Sequence, residues 1–175
     1  MPSILVCPLS AVPDCIRLHT PSHLVTLLSP EYMIETPDGF SAERHLRLPV
    51  DDVVDVQAGA SPPTSEHVQR LLEFARRWDA KAPLLVHCWA GISRSMAGAF
   101  AVLCDRLGPG REDEVARTIR ERAPHADPNR LIIRLADEAL DRRGRMIGAV
   151  DAMGRGALAV EGVPVSFLVE AVTAR

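Results

Sequence analysis

A cysteine and an arginine, six positions apart, enclose a short segment whose residue types suit the binding of an anion. The segment reads His87-Cys88-Trp89-Ala90-Gly91-Ile92-Ser93-Arg94-Ser95. An apolar run precedes it and a helix-forming run, residues 96 to 107, follows it, so the pattern predicts a strand, a tight loop and a helix. Such a loop directs backbone N–H groups and the positive end of a helix dipole at one small space, which suits a phosphate group.

Cysteine chemistry fits the same space. Gly91 supplies the backbone freedom that a sharp turn needs, and the guanidinium of Arg94 can grip two phosphate oxygens at once. A helix N-terminus and a nearby arginine also favour the thiolate form of a cysteine. The segment therefore predicts that Cys88 attacks phosphorus and forms a phosphocysteine intermediate.

Two neighbours of the loop have both a functional and an ordinary interpretation. The hydroxyl of Ser95 can donate to the Cys88 sulfur and help it leave, or it can cap the following helix. His87 is expected to orient the loop through a hydrogen bond, although a buried histidine with ordinary partners would also stand at the end of such a strand.

The signature His-Cys-x-Ala-Gly-Ile-Ser-Arg-Ser resembles that of the cysteine-dependent protein phosphatases, and it is most similar to the dual-specificity branch. Two further segments fit that family in the right order. Upstream, residues 48 to 52 (Leu-Pro-Val-Asp-Asp) resemble the start of the general-acid loop. Downstream, Arg122-Ala123-Pro124 and Pro128-Asn129 resemble the stretch that leads into the last core helix, with an additional alanine between arginine and proline. The resemblance spans roughly residues 45 to 140.

This resemblance implies a phosphate monoester hydrolase that needs no metal or other cofactor. The backbone amides that would hold the phosphate, together with the Arg94 guanidinium, belong to Trp89, Ala90, Gly91, Ile92, Ser93 and Arg94. A carboxylic acid would protonate the leaving oxygen and then activate water. Asn129 is expected either to brace the cysteine loop or to cap a helix.

Three aspartates are candidates for that acid. The family pattern places the acid two positions after the Pro-Val step, which selects Asp52. The separation from Asp52 to Cys88 is longer than usual for the branch, which an insertion rich in Gly, Pro and Ala at residues 56 to 63 would explain. Counting back from Cys88 by the usual separation favours Asp55 instead. Asp51 is the third candidate. Asp127, before Pro128, is interpreted as part of a turn.

The substrate is less well defined by the sequence. The cysteine loop contains no lysine, and the chain has only one, Lys81, which disfavours highly charged inositol phosphates. Protein phosphotyrosine is the first expectation, with dual specificity, a small-molecule or lipid phosphate, and a catalytically weak phosphate-binding module as open alternatives. Trp89 either lines the rim of the pocket or packs beneath the loop.

Composition sets outer bounds on these hypotheses. The chain has 175 residues, of which 47% are hydrophobic and 25% charged, as expected for one globular domain. A net charge of −3 argues against general binding of nucleic acids. No apolar run has the length needed to cross a bilayer. Four cysteines without paired spacing predict a reducing, cytoplasmic location, although a protective disulfide from Cys7 or Cys104 to Cys88 stays open.

Alternating strand and helix patterns predict a single-domain α/β fold, with a central, mostly parallel sheet flanked by helices and the cysteine loop between a central strand and a buried helix. Residues 1–143 are expected to form the phosphatase domain. Residues 144–175 are expected to be a C-terminal extension packed on the same domain. Ser10 is a candidate cap for a helix that ends at His19.

Overall fold

The chain folds into one sheet with helices on both sides in the computed structural model, which describes residues 2–55 and 61–169. The strands are β1 (Ser3–Pro8), β2 (His23–Leu28), β3 (His45–Pro49), β4 (Leu84–Cys88) and β5 (Val165–Leu168). The helices are α1 (Val12–His19), α2 (Ser65–Arg77), α3 (Arg94–Leu107), α4 (Glu112–Arg122), α5 (Arg130–Ala139) and α6 (Arg145–Met153).

The sheet confirms the predicted α/β class. Its strand order is β3-β2-β4-β1-β5, with the first four strands parallel and β5 antiparallel to β1. The central strand β4 is buried along its whole length, as its apolar sequence predicts. Because the carboxyl ends of the parallel strands meet at one edge, Cys88 at the end of β4 lies where ligands bind in such sheets.

The two faces of the sheet are covered unequally. The larger core lies under α2 to α6, and α3 is buried along most of its length because small residues such as Ala97, Ala99 and Ala101 let it approach the strands closely. The opposite face carries a small cluster beneath α1. Side chains alternate between these faces along each strand, so neighbours in sequence meet different cores.

The starts of α3 and of α1 differ from the sequence-based expectations. Helix α3 begins at Arg94, two residues before the predicted start, so that Ser95 lies in its first turn and Ser93 precedes it. Ser10 lies in a 3-10 turn, and Ala11 occupies the N-cap of α1 with no side-chain hydrogen bond. Local backbone geometry at the end of β1, rather than side-chain capping, therefore starts this helix.

Residues 144–169 pack on the same sheet. Helix α6 contributes Met146, Ala149 and Val150 to the larger core. Strand β5 pairs with β1 in the register Ser3 to Leu168. Residues 56 to 60 of the expected insertion, and residues 170 to 175, lie outside the described part of the chain.

Candidate active site

The cysteine loop leaves the end of β4 and turns at once into α3. Cys88 is the last residue of β4 and is only 1% exposed, and its Sγ lies 3.1 Å from Oγ of Ser95. Gly91 has φ of +70°, and a Cβ there would lie 2.7 Å from the backbone nitrogen of Pro8. A glycine is thus required both by the backbone conformation and by the close approach of β1.

Four carbonyl groups of the loop are held from outside by backbone N–H groups of three other segments. The donors come from the turn after β1, from the segment before β5 and from the connection between α4 and α5. The bonds are Leu9 N to Trp89 O (3.0 Å), Gly162 N to Ala90 O (2.8 Å), Asp127 N to Ile92 O (3.0 Å) and Asn129 N to Ser93 O (3.2 Å).

These outward carbonyls fix the direction of the amides between them. In a trans peptide the C=O and the following N–H point in opposite directions. The N–H groups of Ala90, Gly91, Ser93 and Arg94 therefore point into the loop, where the N-terminus of α3 adds its partial positive charge. The backbone forms an anion cradle whose shape is set by hydrogen bonds on its outer side.

Arg94 closes one side of the cradle. Its side chain is only 7% exposed, and its Nη1 donates a 2.8 Å hydrogen bond to the carbonyl of Val50. Its Nε is buried and finds no hydrogen-bond acceptor in the described part of the chain. A buried guanidinium N–H without an acceptor is costly, so this edge suits an anionic ligand that supplies one.

Asp52 is the candidate acid that the described contacts bring against the loop. Its Oδ1 accepts hydrogen bonds from Oγ of Ser93 (2.7 Å) and from Nδ2 of Asn129 (2.9 Å). Its Oδ2 lies 3.8 Å from Nε of Arg94. Asn129 also caps α5, since its Oδ1 accepts hydrogen bonds from two backbone amides. It therefore both braces the cysteine loop and caps a helix.

The other aspartates have different surroundings. A hydrogen bond from Ser29, and then one from the Ser61 amide, lower the pKa of Asp51, and the same carboxylate pins the acid loop to residue 61. A carboxyl held in its ionised form is a poor proton donor. Asp55 is exposed at the edge of the described residues. The Asp127 carboxylate lies near Arg130 (4.0 Å) and Arg155 (3.4 Å).

A buried chain of side-chain hydrogen bonds supports the cysteine strand from below. Oγ1 of Thr26 lies 2.7 Å from Nε2 of His87 and 2.8 Å from Nε2 of His45, whose Nδ1 lies 3.0 Å from Oγ1 of Thr36. Nδ1 of His87 lies 3.4 Å from the carbonyl of Cys88. The chain links β2, β3 and β4 directly beneath the loop.

One assignment of protons satisfies the whole chain. The Cys88 carbonyl only accepts, so Nδ1 of His87 carries its proton and Nε2 accepts from the Thr26 hydroxyl. Thr26 then accepts from Nε2 of His45. Both histidines are neutral in this arrangement. Burial lowers the pKa of each to about 4, in agreement with that assignment.

Sequence reasoning identified His87 but missed Thr26, His45 and Thr36. A threonine inside the apolar run of β2 was the available signal, because a buried hydroxyl needs a partner. The four backbone donors that hold the loop carbonyls carry no side-chain signal, so the sequence does not reveal them.

Trp89 lies on the rim of the cradle. Its side chain is 53% exposed, and its ring meets the ring of Tyr32 edge to face with 5.1 Å between centroids. Of the two sequence-based interpretations, packing beneath the loop is wrong, because about half of this residue is exposed.

All four cysteines are free thiols in the structure. Cys7 pairs with His87 in the sheet register, so its side chain faces the α1 side while Cys88 faces the larger core. Burial raises the pKa of the Cys7 and Cys104 thiols.

The described residues contain no cluster of His, Cys, Asp and Glu suited to a metal ion. Nor does any described helix have the length and apolar character to span a bilayer.

Comparison with known proteins finds likeness at the level of structure. No protein-family model and no curated protein matches the chain. A human tyrosine phosphatase-like serine/threonine/tyrosine-interacting protein is 20% identical, with 76% of this chain and 84% of that chain covered and a TM-score of 0.57. DUSP15 is 19% identical over 89% and 96%, with a TM-score of 0.57. PTPMT1, solved with PI(5)P, is 18% identical over 82% and 90%, also with a TM-score of 0.57.

These structures share the sheet and the helical layer described above, and they cover most of both chains. At such low identity the likeness speaks for the fold. It confirms the resemblance drawn from the cysteine loop at that level: the chain has the fold of the cysteine-dependent phosphatases of the dual-specificity type.

Proposed function

We propose that the protein is a phosphate monoester hydrolase, acting on protein phosphotyrosine or with dual specificity, through a phosphocysteine intermediate. One observation carries the proposal. The thiol of Cys88 lies at the foot of a cradle whose amides point inward, beside a buried Arg94 edge that lacks an acceptor in the described part of the chain. This arrangement supports a bound phosphate directly over a nucleophile.

In the first step the Cys88 thiolate attacks phosphorus. The new S–P bond forms as the bond from phosphorus to the leaving oxygen breaks, and the electron pair of that bond stays on the leaving oxygen. Asp52 gives this oxygen its proton. The inward amides and Arg94 stabilise the equatorial oxygens.

In the second step a water molecule attacks the phosphocysteine. The Asp52 carboxylate takes the proton of that water, the S–P bond breaks, and its electron pair returns to sulfur as inorganic phosphate leaves. The hydroxyl of Ser95, 3.1 Å from Sγ, stabilises the departing thiolate by donating to it. Ser93 and Asn129 hold Asp52 in place through both steps.

The surroundings of the cradle favour a singly phosphorylated protein substrate. Arg94 is the only cationic residue in the loop from 87 to 95, and Lys81 pairs with Asp79 on a turn before β4. Trp89 and Tyr32 offer aromatic surface at the rim. A phosphotyrosine ring gains from such surface, whereas the loop from 87 to 95 offers no second cationic side chain to an additional phosphate.

Two structural neighbours define the alternatives. One is described as phosphatase-like, which corresponds to a phosphate-binding module that turns over weakly. Another was solved with PI(5)P, which corresponds to a lipid phosphate substrate.

Hydrolysis of p-nitrophenyl phosphate tests the proposal. The wild type is expected to turn over this substrate, Cys88→Ser to lose at least about 10³-fold in kcat, and Arg94→Lys to lose about 10²-fold or more in kcat/KM. Cys15→Ser, which removes another buried thiol, is the matched control. Full activity of Cys88→Ser would reject the mechanism, and phosphate binding without turnover by the wild type would favour the binding module.

A further inference from the structure

A segment beyond the cysteine loop in sequence forms part of its surroundings. Residues 154–164, which we call the C-terminal strap, run from α6 to β5 and are tied down along their length. The N–H of Ala157 donates to the carbonyl of Pro124 (2.8 Å), and Nη2 of Arg120 donates to the carbonyl of Gly154 (2.9 Å). At its far end the N–H of Gly162 holds the loop carbonyl of Ala90 (2.8 Å).

Two glycines let the strap lie this close. A Cβ at Gly156 would stand 2.5 Å from the carbonyl oxygen of His125, and a Cβ at Gly162 would stand 2.6 Å from Nε2 of His125 and 3.1 Å from the carbonyl oxygen of Gly91. A side chain at Gly156 would displace the strap from the backbone of His125, and one at Gly162 would displace the strap or the His125 ring. The strap is therefore positioned by direct contact with the cradle.

Between the strap and the loop lies a cavity of about 380 Å³. Its lining residues come from the turn after β1, from the loop and from the strap: Leu9, Ser10, Trp89, Ala90, Val160 and Glu161. Most of this surface is apolar, and Val160 is 97% exposed. The volume lies in the range of about 300–1,000 Å³ typical of ligand sites.

A single carboxylate gives this cavity its charge. Glu161 accepts a hydrogen bond from the hydroxyl of Ser10, which holds the carboxylate at the cavity. None of the six lining residues is cationic. An anionic group would be repelled here, whereas a lysine or arginine side chain would lay its alkyl stem on Trp89 and Val160 and place its charge near Glu161.

We propose that this cavity is a substrate subsite that receives a basic side chain flanking the phosphotyrosine of a protein substrate. The inference rests on the proposed function and adds the sequence context of the substrate. Trp89 links the two sites, since it belongs both to the rim of the cradle and to the wall of the cavity.

The test compares two phosphotyrosine peptides that differ only in carrying lysine or glutamate on both sides of the phosphotyrosine. The wild type is expected to show a kcat/KM about fivefold higher for the lysine peptide. Glu161→Gln is expected to bring the ratio close to one, and Glu161→Lys to invert it. The ratio cancels any change that affects both peptides equally. Glu138→Lys, on the exposed far end of α5, is the matched control and should keep the wild-type ratio.

Three results would overturn the subsite. The first is a wild-type ratio within twofold of one, and the second is an unchanged ratio in Glu161→Lys. The third is turnover of p-nitrophenyl phosphate or of phosphoinositide vesicles while neither peptide is dephosphorylated. Failure of the proposed function gives a different result, because p-nitrophenyl phosphate itself would then stay intact. In that event the subsite is tested by binding, with fluorescently labelled forms of the two peptides. The wild type should bind the lysine peptide more tightly, Glu161→Gln should bind both about equally, and Glu161→Lys should bind the glutamate peptide more tightly.

Discussion

At the scale of single residues, Arg94 and Asp52 each use one part of the side chain to bond the protein and leave the other part facing the cradle. Nη1 of Arg94 is occupied by Val50, which leaves the Nε edge for a ligand. Oδ1 of Asp52 is occupied by Ser93 and Asn129, which leaves Oδ2 for proton transfer. Groups held in this way need little reorganisation when charge develops on the phosphate.

The assignment of the acid predicts a dependence on the leaving group. Asp52→Ala should lower kcat/KM, which reports the first step, about 10²- to 10³-fold for phenyl phosphate, whose leaving oxygen needs the proton, and much less for p-nitrophenyl phosphate. The loss of the acid should also remove one limb of the pH profile. Asp55→Ala is the matched control. If Asp55→Ala shows these effects and Asp52→Ala does not, the acid is Asp55.

The buried chain beneath the loop predicts a positioning role for Thr26. Thr26→Val leaves Nε2 of two buried histidines without the shared hydroxyl, which should cost about 1–3 kcal/mol in the free energy of unfolding. It should also raise the inhibition constant of inorganic phosphate, because the Cys88 carbonyl loses its oriented donor. Thr26→Ser should restore both. If Thr26→Val is as stable as the wild type and binds phosphate with unchanged affinity, Thr26 does not position the loop.

At the scale of elements, the loop takes its shape from its neighbours. The turn after β1, the connection between α4 and α5, and the C-terminal strap each supply backbone donors to its carbonyls. Strand β1 also presses against Gly91. The cradle is thus assembled by packing of distant segments, and its geometry should be sensitive to changes far from Cys88 in sequence.

Gly91→Ala tests that packing. The added Cβ would lie 2.7 Å from the nitrogen of Pro8 at a residue with φ of +70°, so strain and clash should together destabilise the protein by at least about 2 kcal/mol. Gly110→Ala is the matched control, since Gly110 has φ of +88° but nothing within 4 Å of the added Cβ. Urea denaturation measures both. Equal losses would show that backbone conformation alone, and not the contact with β1, requires the glycine.

At the scale of the whole molecule, the buried histidines make folding depend on pH. The pKa of His45 and of His87 is about 4 in the folded protein, below the ordinary value of 6.5, so the unfolded chain binds protons more readily between these limits. Their contribution is complete above pH 6.5 and is lost as the pH falls towards 4. Each should cost about 2 kcal/mol at pH 5 relative to pH 7.5.

Urea denaturation at pH 5.0 and 7.5 measures this difference. His45→Gln should remove about half of the pH-dependent part contributed by the two histidines. An unfolding free energy that is constant over this range, or that rises as the pH falls, would show that these histidines are not held neutral.

Much of this molecule could be predicted from its sequence, and the residues show why. The strand, tight loop and helix around residues 87 to 95 and the α/β class follow from local patterns of apolar residues, glycines and charges. The choice of Asp52 needed the fold, because three nearby aspartates look alike until Ser93, Ser29 and Asn129 are placed around them. The contact of the strap with the loop could not be predicted, because the strap bonds Ala90 through its backbone, 72 positions away in sequence.

Trapping of the covalent intermediate is a direct test of the phosphocysteine mechanism at Cys88. Wild-type protein mixed with p-nitrophenyl phosphate, quenched in acid within milliseconds and digested, is examined by mass spectrometry, with Cys88→Ser as the blank. The phosphocysteine mechanism predicts one phosphoryl group on the peptide that contains Cys88, and accumulation of that species in Asp52→Ala, which lacks the base of the second step. Turnover with no phosphorylated Cys88, or with the phosphoryl group on another residue, would contradict it.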